Sequence, residues 1–467
     1  MSALPPGPIS PPLAQTAHWL LAPVDFMDAC RRRYGDAFSV RFLGFRQPMV
    51  MLSDPQAIRA LYAQREQLMP PGRTLALRPI MGAQSLLLLE GAAHLQRRRL
   101  MLPPFHGERM RGFEAQMREI ATAHVERWPE GAELELLPRT RAITLEVILA
   151  LVFGVSDPAR LARLRELLPA LLDGVSSVSV SFRVLLASRL GRPDPLPAFA
   201  ALTREVDEVL MEDIAARRAA GVGEGTRSDV LSLLLDARFE DGSAMSDREL
   251  RDQLVTLLLA GHETTATALA WTFDLLAHEP AALARLLAEV RGEGSEDQRY
   301  LRAVIAESLR LRPVVPMAGR RLAEELRCDG FVLPAGTDVT PAIWLTHTRA
   351  DLYPDPRAFR PERFLEEPPA TYAWIPFGGG VRRCLGAAFA ELEMAVVLRA
   401  VLERFELSTR RRAEHVRRRG VTLAPRHGTR VRLRRYTPRV QASPRSSSVA
   451  STRGSAAAVR RQEPSAP

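Results

Sequence analysis

One cysteine, Cys384, stands in the run Phe377-Gly378-Gly379-Gly380-Val381-Arg382-Arg383-Cys384-Leu385-Gly386. Apolar residues at Leu385, Phe389, Leu392 and Val396 then recur with a helical period, so a helix is predicted to begin at the cysteine. A thiolate there draws support from backbone N–H groups freed by the glycines, from the positive helix N-terminus, and from Arg382 and Arg383. The glycines let the backbone take φ > 0 and approach a large flat ligand closely. An inert buried thiol is the ordinary reading of a single cysteine. A loop this rich in glycine and arginine argues for a ligand instead.

A second feature lies upstream. Ser246-Asp247-Arg248-Glu249 has the form of a capping box. The pattern then stays helical to His278, before Pro280, which predicts a helix of about 48 Å. Its apolar middle contains Ala260-Gly261-His262-Glu263-Thr264-Thr265. Thr264 alone reads as a tolerated kink, its hydroxyl bonded back to the carbonyl four residues earlier. A glycine, an acid and two threonines together in an apolar stretch point to polar chemistry.

The pattern Phe-x-x-Gly-x-Arg-x-Cys-x-Gly, met at Phe377, Gly380, Arg382, Cys384 and Gly386 and followed by Ala390 and Glu393, resembles the haem-binding signature of the cytochrome P450 family. The resemblance runs from about Pro12 to Tyr436, with the family's motifs in order. It implies a mainly α fold with small β-sheets, and haem b held between the long central helix and the cysteine loop. Cys384 would be the axial ligand of the haem iron, pushing electron density that favours O–O cleavage. Phe377 would shield the sulfur. Arg382, His94, Arg98 and Arg320, with Arg321 as an alternative to Arg320, would meet the haem propionates through the fork geometry that suits carboxylates. Glu263 and Thr264 would manage protons for dioxygen, with Thr265 behind them, and His262 would only pack. Glu307, Arg310 and Arg363 would form a buried cluster bracing the cysteine loop. The stretch from His94 to Met110 looks most similar to cyanobacterial and myxobacterial members, several of which oxidise fatty acids or terpenoids.

Composition limits the alternatives. A chain of 467 residues with 46% hydrophobic content can enclose a large cofactor as one unit. Cys30, Cys328 and Cys384 are few and far apart, so a disulfide framework is not expected and a reducing cytoplasm is. All 64 basic residues counted as Lys or Arg are arginine, which points to a GC-rich, bacterial codon bias. The net charge of +10 invites nucleic acid, but no basic run is interleaved with aromatics as a stacking platform requires. Part of the charge sits in residues 437–467, a Ser-, Ala-, Pro- and Arg-rich tail read as disordered.

The first twelve residues are proline-rich and do not form a secretory signal. The short apolar piece from Trp19 to Val24 is far below the roughly 20 residues of a membrane span. Two short strands are expected within residues 38–52 and a helix at 55–65. Residues 70–91 form a breaker-rich loop, and residues 168–190 read as a core helix pair or, by the resemblance, as a substrate lid. Gly221, Gly223 and Gly225 follow a charged helix, not a strand, so they mark a connection and not a dinucleotide site. No flavin or nicotinamide fingerprint occurs, so electrons are expected from a separate ferredoxin and ferredoxin reductase.

The resemblance therefore implies a soluble, monomeric, cytoplasmic monooxygenase. It would insert one atom of O2 into a hydrophobic substrate of fatty-acid or terpenoid class, with no nucleic-acid partner. A peroxide-driven peroxygenase and a non-catalytic haem sensor are the competing readings. Against both stands the pair Glu263-Thr264.

Overall fold

Asp247–His278 is one unbroken helix of 32 residues, with the predicted capping box at its start. Ser246 N donates to the Glu249 carboxylate at 2.8 Å, and Glu249 N donates to Ser246 Oγ at 3.3 Å. Helices Leu136–Val147, Pro197–Ala220, Ala387–Leu402 and Arg299–Leu311 pack around this central helix. Most of its length is buried on all sides, as expected of a helix that crosses the core. The computed structural model describes residues 4–43, 45–64, 67–69, 78–177, 197–220, 229–292 and 297–437. Met1–Arg435 form one compact unit, which carries every element discussed below; of the second unit, Tyr436–Pro467, only Tyr436 and Thr437 are described.

The sheets are small and sit beside the helices. Five strands run in the order Ala37–Val40, Met49–Leu52, Asp338–Pro341, Arg320–Leu322, Gln67–Leu68. The first two are the pair expected within residues 38–52. Arg430–Arg435 lies between Glu133–Glu135 and Phe405–Ser408. Val416–Arg419 and Thr422–Pro425 form a hairpin turned at Gly420, whose φ is 57°. The proline-rich start lies against the first strand: Pro6 O accepts from Ser39 N at 3.0 Å.

The helix Leu136–Val147 continues as a π-helical stretch, Ile148–Phe153, that ends at Gly154. Gly154 has φ 60°, and a Cβ there would lie 2.2 Å from the Asp229 carboxyl carbon, so no larger residue fits. Among the described residues no helix is long and apolar enough to cross a membrane. Residues 70–77, 178–196, 221–228 and 438–467 lie outside the described residues, and with them most of the predicted lid, the glycine-rich connection and the tail.

Candidate haem-thiolate active site

The central helix is interrupted as a buried surface at one place. Leu257, Leu259, Ala260, Gly261 and Thr264 keep accessible surface, while His262, Glu263 and Thr265 are buried. Positions 257, 260, 261 and 264 fall on one helix face. Thr264 Oγ1 donates to Ala260 O at 2.6 Å, which leaves its lone pairs available to accept.

Cys384 is a free thiol with accessible surface, although protein crowds round it. Burial pushes the thiol above its ordinary pKa. The Gly386 N–H and the positive Arg98 and Arg383 oppose that rise. Cys384 N donates to Phe377 O at 2.9 Å, which closes the loop on itself. Gly378 and Gly380 take φ of 66° and 64°, and a Cβ on Gly379 would meet the Tyr62 ring at 2.6 Å. The helix starts at Ala387 and not at the cysteine, with Gly386 as its first flanking residue. The preceding residues are spent on a 3-10 turn, Gly380–Arg382, and on the bond back to Phe377. Phe377 packs edge-on to Trp374, with ring centroids 6.1 Å apart.

A cluster of positive groups completes the site. Burial first, then Arg382, Arg98 and Arg320, push His94 down to about 4, so the ring is neutral at physiological pH. His94 and Arg320 are buried, and Arg382 Nη2 donates to Leu89 O at 2.5 Å. Arg321 instead makes a two-pronged pair with Asp338, at 2.8 and 3.1 Å. Of the two candidates, Arg320 is the one beside His94. Tyr62, absent from the sequence reading, lies near both Gly378 and Arg320. A single sulfur donor, an accessible helix face with a glycine at its centre, and four convergent basic side chains make a fitting set for an iron porphyrin with two carboxylates.

The acid of the central helix is held by partners from distant elements. Glu263 does not face the accessible stripe freely. Arg141 Nε donates to its Oε2 at 2.8 Å, and Arg419 Nε lies 3.1 Å from its Oε1. Asp173 bridges the same two arginines. Thr265 is hydrogen-bonded to Glu393 of the helix Ala387–Leu402. Glu393 is enclosed, and burial raises its carboxyl well above the ordinary range, the Thr265 bond opposing. Buried His262 packs beside this network, near Arg141, and burial pushes it down to about 3. No local signal in the sequence names Arg141, Arg419 or Asp173, because each comes from a distant element.

The predicted bracing cluster is assembled. Arg310 grips Glu307 through Nε and Nη2 at 2.6 and 2.8 Å, and Arg363 Nε adds a third contact at 3.3 Å. The Glu307 and Arg310 side chains are wholly buried, and the carbonyls of His347, Pro356 and Ala358 take the remaining Arg310 donors. Such full satisfaction is what makes a buried ion pair tolerable.

A fold of helices around one polar-interrupted central helix, closed by a thiolate loop, defines a haem-thiolate protein. The chain belongs to the cytochrome P450 family, whose profile matches residues 5–428. It is a monooxygenase-class enzyme with a haem-thiolate cofactor, using O2 and an organic substrate. Cytochrome P450 135B1 of Mycobacterium tuberculosis (strain ATCC 25618 / H37Rv) is 42% identical over 442 residues, covering 92% of this chain and 91% of its own. Cytochrome P450 137 of the same strain is 40% identical over 404 residues, covering 86% and 84%. Among solved structures, the cyanobacterial CYP120A1 with retinoic acid bound is 28% identical with a TM-score of 0.77, covering 93% of this chain and 100% of that one. The haem domain of cytochrome P450DA is 25% identical with a TM-score of 0.81, covering 94% and 98%.

Proposed function

We propose that this chain oxidises a hydrophobic small molecule of fatty-acid or terpenoid class, with electrons from a separate ferredoxin and ferredoxin reductase, as a cytoplasmic monomer. The observation that carries this reading is the pairing of an accessible thiol, Cys384, with the accessible stripe at 257, 260, 261 and 264. When bound, the haem supplies activation of dioxygen at a thiolate-ligated iron. Cys384 would be its axial ligand. Arg98 and Arg383 favour the thiolate, and His94, Arg320 and Arg382 would receive the propionates.

The chain's own work is to orient and to move protons. Gly261 and Thr264 leave room on the distal face, and the Thr264 hydroxyl can accept or pass a proton there. Glu263 would deliver protons from the solvent side, through water or after leaving its arginine partners. Thr265, bonded to Glu393, acts through helix position and not on substrate. Met317 and Leu257 contribute apolar surface to the substrate side. The retinoic acid bound to CYP120A1, a terpenoid acid, supports the substrate class.

Exposed Arg99 and Arg383 would steer an acidic ferredoxin. Neighbouring Arg97 is buried and paired with Glu249, so it serves the fold. A library of fatty acids and terpenes tests the reading by spin-state change and by product formed from reduced ferredoxin. Product from this library at the expense of ferredoxin electrons is the expected result. Turnover with hydrogen peroxide alone would favour a peroxygenase, and binding without turnover a sensor.

A further inference from the structure

His347 ends the short helix Ile343–His347 and is wholly buried. Both of its ring nitrogens are engaged. Ile375 N donates to Nε2 at 2.8 Å, and Nδ1 lies 3.1 Å from Arg310 O. A backbone N–H can only donate and a carbonyl can only accept, so Nε2 carries the lone pair and Nδ1 the proton. The tautomer is thereby fixed. Burial first, then the Arg310 charge, push the ring down to about 3, with the bond to Arg310 O opposing, so it is neutral at physiological pH.

One end of this bridge is the bracing cluster. Arg310 O is one of the last four carbonyls of the helix Arg299–Leu311, which the helix's own N–H groups do not reach. Arg310 also returns a bond, from Nη1 to His347 O at 2.7 Å, while its Nε and Nη2 hold Glu307. The other end is the approach to the cysteine. Ile375 O accepts from Gly378 N at 3.0 Å, which makes residues 375–378 a turn with Pro376 and Phe377 at its middle. Phe377 O then accepts from Cys384 N at 2.9 Å. Next to Ile375, Trp374 Nε1 donates to Ala306 O at 3.1 Å.

Packing alone does not require a ring at this position. An apolar side chain of similar size would fill the space but leave the Ile375 N–H without an acceptor. Ile375 is itself buried, so water does not readily replace the lost partner. An unsatisfied buried N–H is costly, and here it would stand at the first residue of the turn that leads to the thiolate.

We infer that His347 is a positioning residue for the thiolate, and that its Nε2 bond to Ile375 carries the fixed place of the Glu307–Arg310–Arg363 cluster over to the turn that presents Phe377 and Cys384. The inference rests on Cys384 as the haem ligand and is independent of substrate and of turnover. The bond from Ile375 and the bond to Arg310 O separate by side-chain length. Glutamine can set its carbonyl oxygen near the place of Nε2 and keep the bond from Ile375. Asparagine, one carbon shorter, reaches Arg310 O but not Ile375. Leucine replaces neither bond.

The test uses the full-length holoenzyme as its reduced carbon-monoxide complex. The rate at which the thiolate Soret band gives way to the band of the non-thiolate form is followed at one mild temperature. His347→Leu and His347→Asn should convert roughly ten- to hundredfold faster than the native protein, and His347→Gln within about threefold of it. The ranking is decisive, because a role in packing alone would place leucine level with glutamine or above it. Hydrogen–deuterium exchange of the native protein reads the same bond without a variant. The Ile375 N–H should be strongly protected, in a segment where Pro376 contributes no amide. Exchange of that amide at the rate of an open chain, leucine converting no faster than glutamine, or asparagine matching the native protein would each overturn the assignment. A native protein that lacks the thiolate band would defeat Cys384 as the ligand, and the inference with it; a native band with the wrong ranking would defeat the inference alone.

Discussion

Arg141 Nε donates to Glu263 Oε2 at 2.8 Å, across 122 residues of sequence. The adjacent Thr264 turns its hydroxyl to the carbonyl of Ala260. Acid and alcohol are neighbours in the chain and have separate duties. One is held by arginines, and the other stands on the accessible face.

Glu263→Gln should slow turnover and raise its solvent isotope effect, because the relay loses its ionisable group. Arg141→Gln should instead destabilise the fold by about 1–3 kcal/mol, since a buried carboxylate loses one of its two arginines. Urea unfolding of both holo variants, with turnover measured in water and in deuterium oxide, separates the effects. Equal isotope effects in the native protein and Glu263→Gln would remove Glu263 from the relay.

Thr264→Ala should still consume reducing equivalents but divert many of them to hydrogen peroxide. The variant keeps the distal groove and loses the hydroxyl that holds a proton donor in reach. Simultaneous measurement of electron consumption, peroxide and product gives the coupling ratio. Full coupling in Thr264→Ala would move the role to another residue.

Cys384→Ser should lose the red-shifted Soret band of the reduced carbon-monoxide complex. Cys30→Ser and Cys328→Ser should keep it, because both thiols are buried in apolar clusters where burial pushes them up to about 11. A thiolate spectrum in Cys384→Ser would end the assignment.

Glu393 sets a pH dependence of stability. Its carboxyl titrates higher when folded than when unfolded, so the folded state binds more protons at intermediate pH. The stability it contributes is complete below the ordinary carboxylate range and falls as pH rises from there toward its raised folded value. Glu393→Gln, neutral at every pH, should flatten this decline. Unfolding midpoints of both proteins between pH 5 and 8, taken as about one point per half unit, read the difference. Parallel curves would mean that Glu393 is ionised in the native state.

Raising salt should slow reduction by ferredoxin, and Arg99→Glu should mimic the effect, because Arg99 is an exposed side chain paired only at the surface with Glu240. Stopped-flow reduction rates at several salt concentrations check this. A rate insensitive to both salt and Arg99→Glu would place the docking face elsewhere.

Local pattern alone determined a good deal here. The capping box, the length of the central helix, the glycine–cysteine loop and the Glu307–Arg310 spacing all depend on residues within a few positions of one another. A helical period or a turn chemistry is therefore enough to read them. Tertiary structure decided the rest. It put Arg141 and Arg419 on Glu263, joined Thr265 to Glu393, buried Arg97, sent Arg321 to Asp338 while Arg320 stayed beside His94, and delayed the helix after Cys384 to Ala387. Each of these depends on which distant side chain fills a space or answers a charge. Only the packed chain settles that, because the free energy of a buried ion or hydrogen bond is set by surroundings drawn from the whole fold.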